Sequence, residues 1–305
     1  MIVVQPSYRV FISPISYVGY FVGGTDTGGN NSINEVDGIR FDTESTIDPS
    51  STLTTSKIFA AGVNSSTKGY VGGGKIQPST LESGIDSLVF ADETIAAISA
   101  TISVPRWYLS GINSSTSGYF VGGYNGTSTL NTIDGISFGT EVGFTSTATL
   151  SNLVFYPAGV NTPSNGYVAG GNQSGPGGSQ NTVDSFNFAS STIYQLSATL
   201  TVARGYFGGV TSGTHGYFAG GVSNLSPTDV IDRLEYATEI INQLSVALPA
   251  NRVAHIGVGS NTKGYFAGGL SAIAGLPFNT ETASNISATL PTLRSNMAGV
   301  QSGAV

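Results

Sequence analysis

Cysteine is absent from this chain, histidine occurs twice, tryptophan once, and only 10% of residues are charged. Without thiols there are no disulfide staples, no cysteine nucleophile and no metal site built on sulfur ligands. Eleven Lys and Arg against 18 Asp and Glu give a net charge of −7, so the concentrated positive charge that a nucleic-acid backbone requires is missing and no nucleic-acid partner is expected. The opening Met1-Ile2-Val3-Val4-Gln5-Pro6 has no basic segment leading into a long apolar stretch, and no run approaches the ~18 apolar residues of a membrane span. Neither membrane insertion nor a secretion signal is expected. No Gly-x-Ser-x-Gly elbow, phosphate loop or metalloprotease helix motif occurs.

What the chain has instead is 42 glycines, 15 phenylalanines and 14 tyrosines on a background of Ser, Thr and Asn. Such a composition fits either low complexity or many short strands joined by turns, and periodicity decides between them. Gly-Tyr, followed by apolar residues and paired glycines, recurs with its tyrosine at Tyr20, Tyr70, Tyr119, Tyr167, Tyr217 and Tyr265, 48 to 50 residues apart. Six copies at that period indicate a propeller or an array.

Four segments recur within each period. The first ends in small residues, as in Ala61-Gly62-Val63, Ser110-Gly111-Ile112 and Ala158-Gly159-Val160, and the second is the Gly-Tyr segment itself. The third alternates as Asp37/Ile39/Phe41, Asp86/Leu88/Phe90, Asp134/Ile136/Phe138, Asp184/Phe186/Phe188 and Asp232/Leu234/Tyr236, a period of two that reads as strand. The fourth is short and ends in pairs such as Thr101-Ile102 and Thr199-Leu200. A lone four-stranded sheet cannot bury both faces, whereas a ring of such sheets buries each against its neighbours. The expected fold is therefore an all-β, six-bladed propeller with four-stranded antiparallel blades. Polar turns such as Asn64-Ser65-Ser66-Thr67-Lys68 join the first two strands, and the links from second to third strand vary most, which gives one face of the disk its individuality.

The sixth unit departs from the pattern: Phe278 follows Tyr265 closely, with no Asp four residues before it, so its third strand is expected to be short or irregular. A C-terminal copy of the first segment, Leu293 to Val300, has the Ala-Gly-Val ending, while Tyr8-Arg9-Val10-Phe11-Ile12 resembles it poorly. The ring is thus expected to close through the C-terminal strand, with residues 13–305 forming the propeller. Residues 1–12 are left over, as an extra strand or a docking arm.

At this point a family likeness becomes visible. Leu200-Thr201-Val202-Ala203-Arg204 leading to Gly209-Val210, then Gly216-Tyr217-Phe218-Ala219-Gly220-Gly221 and Asp232-Arg233-Leu234-Glu235-Tyr236, resemble kelch-type propeller repeats. The likeness runs from about Gly19 to Val300. The Trp of the ordinary kelch fourth strand is absent, and the Ala-Thr-Leu ending resembles the Ser/Thr-rich kelch-like repeats of marine and cyanobacterial phage proteins.

Arg106, Arg204, Arg252 and Arg294 stand at matching places before the first strand, with Lys57 and Val154 in the remaining copies. The resemblance implies a structural role, each guanidinium satisfying carbonyls or an acidic partner; the alternative is a basic ligand-binding ring, against which the missing charge at Val154 argues. The Asp series is spread around a ring rather than converging, and no loop carries the oxygen ladder of a calcium site, so no metal or cofactor is expected. His215 and His255 lie in different segments, which offers no shared catalytic role. Kelch-like copper radical oxidases need a cysteine crosslinked to tyrosine, which this chain lacks. Trp107 and Phe155 are read as blade packing. Tyr124, Asn125, Asn172, Gln173 and Asn224, on the variable links, are the ligand-binding candidates, since neutral polar groups with occasional aromatics suit sugars.

The functional expectation is a nonenzymatic structural and recognition module: a virion component of a phage (tail, fibre or capsid decoration), or an extracellular surface protein, that binds host-surface glycan. Its partners would be other virion or surface-assembly proteins, reached through residues 1–12. The alternatives are a kelch-type interaction scaffold in the cytoplasm and a glycan-processing enzyme, which would need paired carboxylates about 5–9.5 Å apart in a cleft.

Overall fold

The computed structural model of the chain describes residues 17–26, 29, 31–174 and 178–303. The recurring segments form six four-stranded antiparallel blades. Blade 1 contains β1 (Val18–Val22), β2 (Val36–Arg40) and β3 (Thr46–Ile47). Blade 2 runs from β4 (Ala61–Asn64) and β5 (Lys68–Gly72), through a small ribbon of β6 (Lys75–Ile76) and β7 (Thr80–Leu81), to β8 (Gly84–Val89) and β9 (Ile95–Thr101). Blade 3 comprises β10 (Ser110–Asn113), β11 (Ser117–Val121), β12 (Ile133–Ser137) and β13 (Gly143–Thr145). Blade 4 comprises β14 (Ala158–Asn161), β15 (Asn165–Ala169), β16 (Val183–Asn187) and β17 (Thr192–Gln195). Blade 5 has β18 (Gly208–Thr211), β19 (His215–Ala219), a ribbon of β20 (Val222–Ser223) and β21 (Ser226–Pro227), β22 (Ile231–Glu235) and β23 (Ile240–Gln243). Blade 6 has β24 (Ile256–Gly259), β25 (Lys263–Ala267), β26 (Ala272–Pro277) and β27 (Ser284–Thr289). The last strand, β28 (Ala298–Gln301), returns to pair with β1 through Tyr20↔Val300 and Phe21↔Gly299, closing the ring as the innermost strand of blade 1. Residues 1–12, the leftover segment of the sequence, lie outside the described residues.

The apolar core is divided among six seams between blades. On β1, Tyr20 and Val22 pack toward Val71 and Leu88 of blade 2, while Phe21 packs toward Tyr265 and Val258 of blade 6. Alternate residues thus serve opposite seams, which is why the second strands are apolar on both faces. At the axis the six inner strands approach too closely for a side chain. A Cβ at Gly209 would stand 2.5 Å from the carbonyl oxygen of Gly159, and Gly62, Gly111, Gly159 and Gly257 meet the same obstacle in the preceding blade. Glycine is required there for space.

The rim repeats two further contacts around the ring. Each second-strand tyrosine stacks on an aromatic residue of the next blade, from Tyr20 on Phe90 at 5.7 Å to Tyr265 on Phe41 at 5.4 Å. Five of these phenols also donate to a glutamate there: Tyr20 to Glu93, Tyr70 to Glu141, Tyr167 to Glu239, Tyr217 to Glu281 and Tyr265 to Glu44, at 2.9 to 3.1 Å. At the corresponding turn position blade 4 has Ser191 in place of the glutamate, and Tyr119 stacks on Phe188 at 5.3 Å without that clasp.

The third strand of the sixth blade is irregular, as one of the two sequence alternatives had it, but not short. It is six residues long, and the shortening falls in the four-residue link 268–271 before it. The irregularity is a register shift against β27 between Ala272 and Ala274. A third strand must fill its part of the wedge between neighbouring blades, whereas a surface link is free to shrink.

Candidate functional site

Between the fourth strand of one blade and the inner strand of the next, each connector passes through one left-handed residue. These are Phe59, Tyr108, Tyr156, Tyr206, Ala254 and Asn296, with φ between 55° and 63°. Each donates its backbone N–H to the carbonyl of its counterpart one blade back: Tyr108 to Phe59 at 3.0 Å, Tyr156 to Tyr108 at 2.9 Å, and so on until Phe59 donates to Asn296 at 2.8 Å. The result is a closed circle of six hydrogen bonds around one mouth of the central channel. A non-glycine residue in this region of φ costs energy, which the circle and the surrounding stack hold in place.

Four members of the circle are aromatic. Tyr108 and Tyr156 have ring centroids 3.8 Å apart at 31°, and Tyr156 and Tyr206 are 3.4 Å apart at 28°. Phe59 meets Tyr108 edge-on at 4.3 Å, and Trp107 stacks on the same tyrosine at 3.8 Å. Burial raises the phenol of Tyr156, with the neighbouring Tyr108 and Tyr206 adding to the effect, and burial likewise raises Tyr108 and Tyr206. All three stay protonated and neutral across the physiological range.

The channel encloses about 150 Å³, and among the described residues no Lys, Arg, Asp or Glu lines it. Its one imidazole, His255, accepts a hydrogen bond from Gly208 N–H at 3.2 Å and is depressed to about 3 by burial and by Arg252, so it too is uncharged. Toward the opposite mouth the inner strands end in Asn64, Asn113, Asn161, Thr211 and Gln301. There Asn161 N–H donates to Thr211 Oγ1 at 3.1 Å and Gly259 N–H to Gln301 Oε1 at 2.6 Å. Among the described residues no group of three or more His, Asp or Glu is placed to hold a metal.

No protein-family model matches this chain, and no curated protein matches it.

The loop residues singled out from sequence lie on the face of the aromatic mouth. Tyr124 pairs through its backbone with Trp107, and Asn172 with Phe155. Trp107 and Phe155 therefore belong to the mouth as well as to blade packing, with Tyr124 6.1 Å from Phe155 and Lys75 Nζ 4.2 Å from the indole centroid. Thr129 and Ser174 hydroxyls, 2.5 Å apart, join the loops of blades 3 and 4. Asn125 spends its side-chain oxygen on Thr127 and Ser128, and Asn172 spends its own on Ser179. Gln173 N–H donates to Gly178 at 3.0 Å. Asn224 and Leu225, with φ of 47° and 67°, form the exposed tip of the β20–β21 ribbon.

The arginines lie behind the mouth. Arg106 is fully buried, its Nη1 2.6 Å from Asp134 Oδ2 and its other donors on the carbonyls of Gly122 and Phe120. Arg204 pairs with Asp232 at 2.7 Å, Arg294 with Asp37 at 2.7 Å, and Lys57 with Asp86 at 2.9 Å. Each backbone carbonyl at this position also accepts an N–H from the second glycine of the preceding blade's Gly-Gly pair, Gly123 to Val154 at 2.8 Å for instance, a contact indifferent to the side chain. The two breaks in the ion-pair series are instructive. Arg252 has Ala274 where the acid should stand, makes only carbonyl contacts among the described residues, to Gly268 and Ala272, and is depressed to about 10 by burial. Asp184 has Val154 at the position where its sister blades carry the cation, accepts only from Ser151 among the described residues, and burial raises its carboxyl above the ordinary value.

Sequence reasoning missed the mouth tyrosines. Their signal was present: two residues beyond Lys57, Arg106, Val154 and Arg204 stand Phe59, Tyr108, Tyr156 and Tyr206.

Proposed function

We propose that this chain is a nonenzymatic recognition and structural module, a divergent kelch-type disk of the kind carried by phage particles, displayed on a virion or comparable surface assembly and meeting neutral glycan with the face that carries its second-to-third strand links. The observation that supports the reading is the aromatic mouth at the centre of that face, opening on a channel with no charged side chain in its described lining, with Tyr124 and Asn172 of the variable links beside it. Neutral hydroxyl-rich ligands are recognised by flat apolar surfaces combined with amides and hydroxyls, without the desolvation of charge that an ionic site demands. The kelch-type likeness rests on the Gly-Tyr and Gly-Gly repeat with its upstream arginine.

Two experiments test the reading. The isolated protein is applied to a panel of host polysaccharides; saturable binding to a neutral member supports recognition, and uniform absence of binding rejects it. Deletion of residues 1–12 is followed by an incorporation assay, in which loss of the disk from the particle supports anchoring through that segment and undiminished assembly rejects it.

A further inference from the structure

The aromatic stack at the mouth stops part-way round the circle. Three successive rings, Tyr108, Tyr156 and Tyr206, overlap with centroids 3.8 and 3.4 Å apart, and among the described residues Tyr206 has Tyr156 as its one ring partner. In the next blade the same backbone position, with the same left-handed conformation at φ 55°, holds Ala254, and the one after holds Asn296. Where the sixfold arrangement would place a fifth ring, the channel wall is therefore a methyl group, flanked by a tyrosine on one side and a carboxamide on the other. The Nδ2 of Asn296 donates to Thr25 Oγ1 at 2.9 Å and to Ser295 Oγ at 3.1 Å, which leaves its Oδ1 as an acceptor at the mouth.

We infer that this position is a binding site for a single neutral sugar ring, the terminal pyranose of a glycan, which stacks on Tyr206 over Ala254 and donates a hydroxyl hydrogen bond to Asn296 Oδ1. The inference rests on the glycan-recognition reading above and assigns it a place and a stoichiometry. Three features select the ligand class. An aromatic cage for a quaternary cation needs several ring faces turned into one cavity, and here Tyr108 and Tyr156 spend theirs on neighbouring rings, which leaves the outer face of Tyr206 as the single platform. An acidic or basic ligand would enter a channel whose lining offers it no counter-charge. The same channel is lined by glycine backbone and, at its far end, by amides and hydroxyls suited to a polyol.

The test titrates the full chain with methyl glycosides of glucose, galactose, mannose and N-acetylglucosamine and with their short oligomers, by calorimetry and by the fluorescence of Trp107. This indole is the chain's sole tryptophan and stacks at 20° on Tyr108, at the head of the row that ends in Tyr206. Two variants accompany the wild type. Ala254→Tyr extends the row from within, at a backbone position where four sister blades already carry an aromatic residue, and Tyr206→Ala removes the platform. The expected result is one-to-one binding with a change in Trp107 emission, weakened about tenfold or more by either variant while the melting temperature of Ala254→Tyr stays at or above that of the wild type. Binding that both folded variants leave unchanged overturns this site and spares the glycan reading. Binding of free indole or phenol by the wild type that Ala254→Tyr abolishes, without binding of any glycoside, overturns the sugar assignment. Absence of all saccharide binding by the wild type overturns the site and the recognition reading together.

Discussion

Removing Asp232 should strand the most deeply buried cation of the ring. Arg204 and Asp232 are both inaccessible to solvent, with Nη1 2.7 Å from Oδ2, and the guanidinium also reaches the carbonyls of Val202 and Phe218 and lies 5.1 Å from the centroid of the Phe207 ring. Asp232→Ala also takes the acceptor from Thr201, whose hydroxyl donates to Oδ1 at 2.6 Å. Breaking a buried pair while leaving the other charge behind costs about 3–5 kcal/mol. An unfolding entropy of about 2.1 cal/mol/K per residue amounts to about 0.6 kcal/mol/K over the ring, so the melting temperature should fall by about 5–8 °C. Two comparisons sharpen the test. Asp184→Asn, in the blade with no cation at Val154, should change stability by less than about 1 kcal/mol, since its carboxyl accepts only from Ser151 among the described residues. The double variant Arg204→Met/Asp232→Ala should recover most of the loss, because replacing a whole buried pair by apolar groups is often near neutral. Differential scanning calorimetry of the four proteins measures all of this. A cost below about 1 kcal/mol for Asp232→Ala, or equal costs for Asp232→Ala and Asp184→Asn, would refute the account of the buried pair.

Further predictions follow from the same geometry. Gly111→Ala drives a methyl group into the carbonyl of Gly62 and should prevent ring closure, read as loss of soluble folded protein, whereas Gly139→Ala, with open space around it, should melt with the wild type. His255 is held neutral by burial, its pKa lowered from 6.5 to about 3, so the unfolded chain takes up the proton first and stability declines as pH falls from about 6.5 toward 3. His255→Phe, which copies Phe207 of the preceding blade, should flatten that part of the pH–stability curve; an unchanged slope in urea titrations at pH 7 and pH 5 would contradict the assignment. Asp184 runs in the opposite direction: its raised carboxyl is more stable protonated in the fold, so its contribution is present below the ordinary value of 3.8 and is lost as pH climbs through the raised one. Ser191→Glu should give Tyr119 the clasp its five counterparts have and add about 0.5–1 kcal/mol, seen as a small rise in melting temperature.

By itself the sequence determined what repeats. The spacing of Tyr20 through Tyr265 set the number of blades, the Gly-Tyr and Gly-Gly segments set the second strands and their ends, and the Ala298-Gly299-Val300 ending set how the ring closes. These are legible because each depends on local geometry that recurs: a period-two strand, a paired turn, an axial position with room for hydrogen alone. Only the tertiary structure decided what converges. Periodicity states that Phe59, Tyr108, Tyr156 and Tyr206 are equivalent, but equivalence around a ring carries no information about radius or face, and the same spacing describes the rim glutamates, which never meet one another. The mouth residues touch because their connectors run close to the axis, where six copies of one backbone position come within hydrogen-bonding distance. The Arg294–Asp37 pair, 257 residues apart in sequence, exists for a related reason: closure places the last connector beside the first blade, a consequence of the whole circle that no local segment encodes.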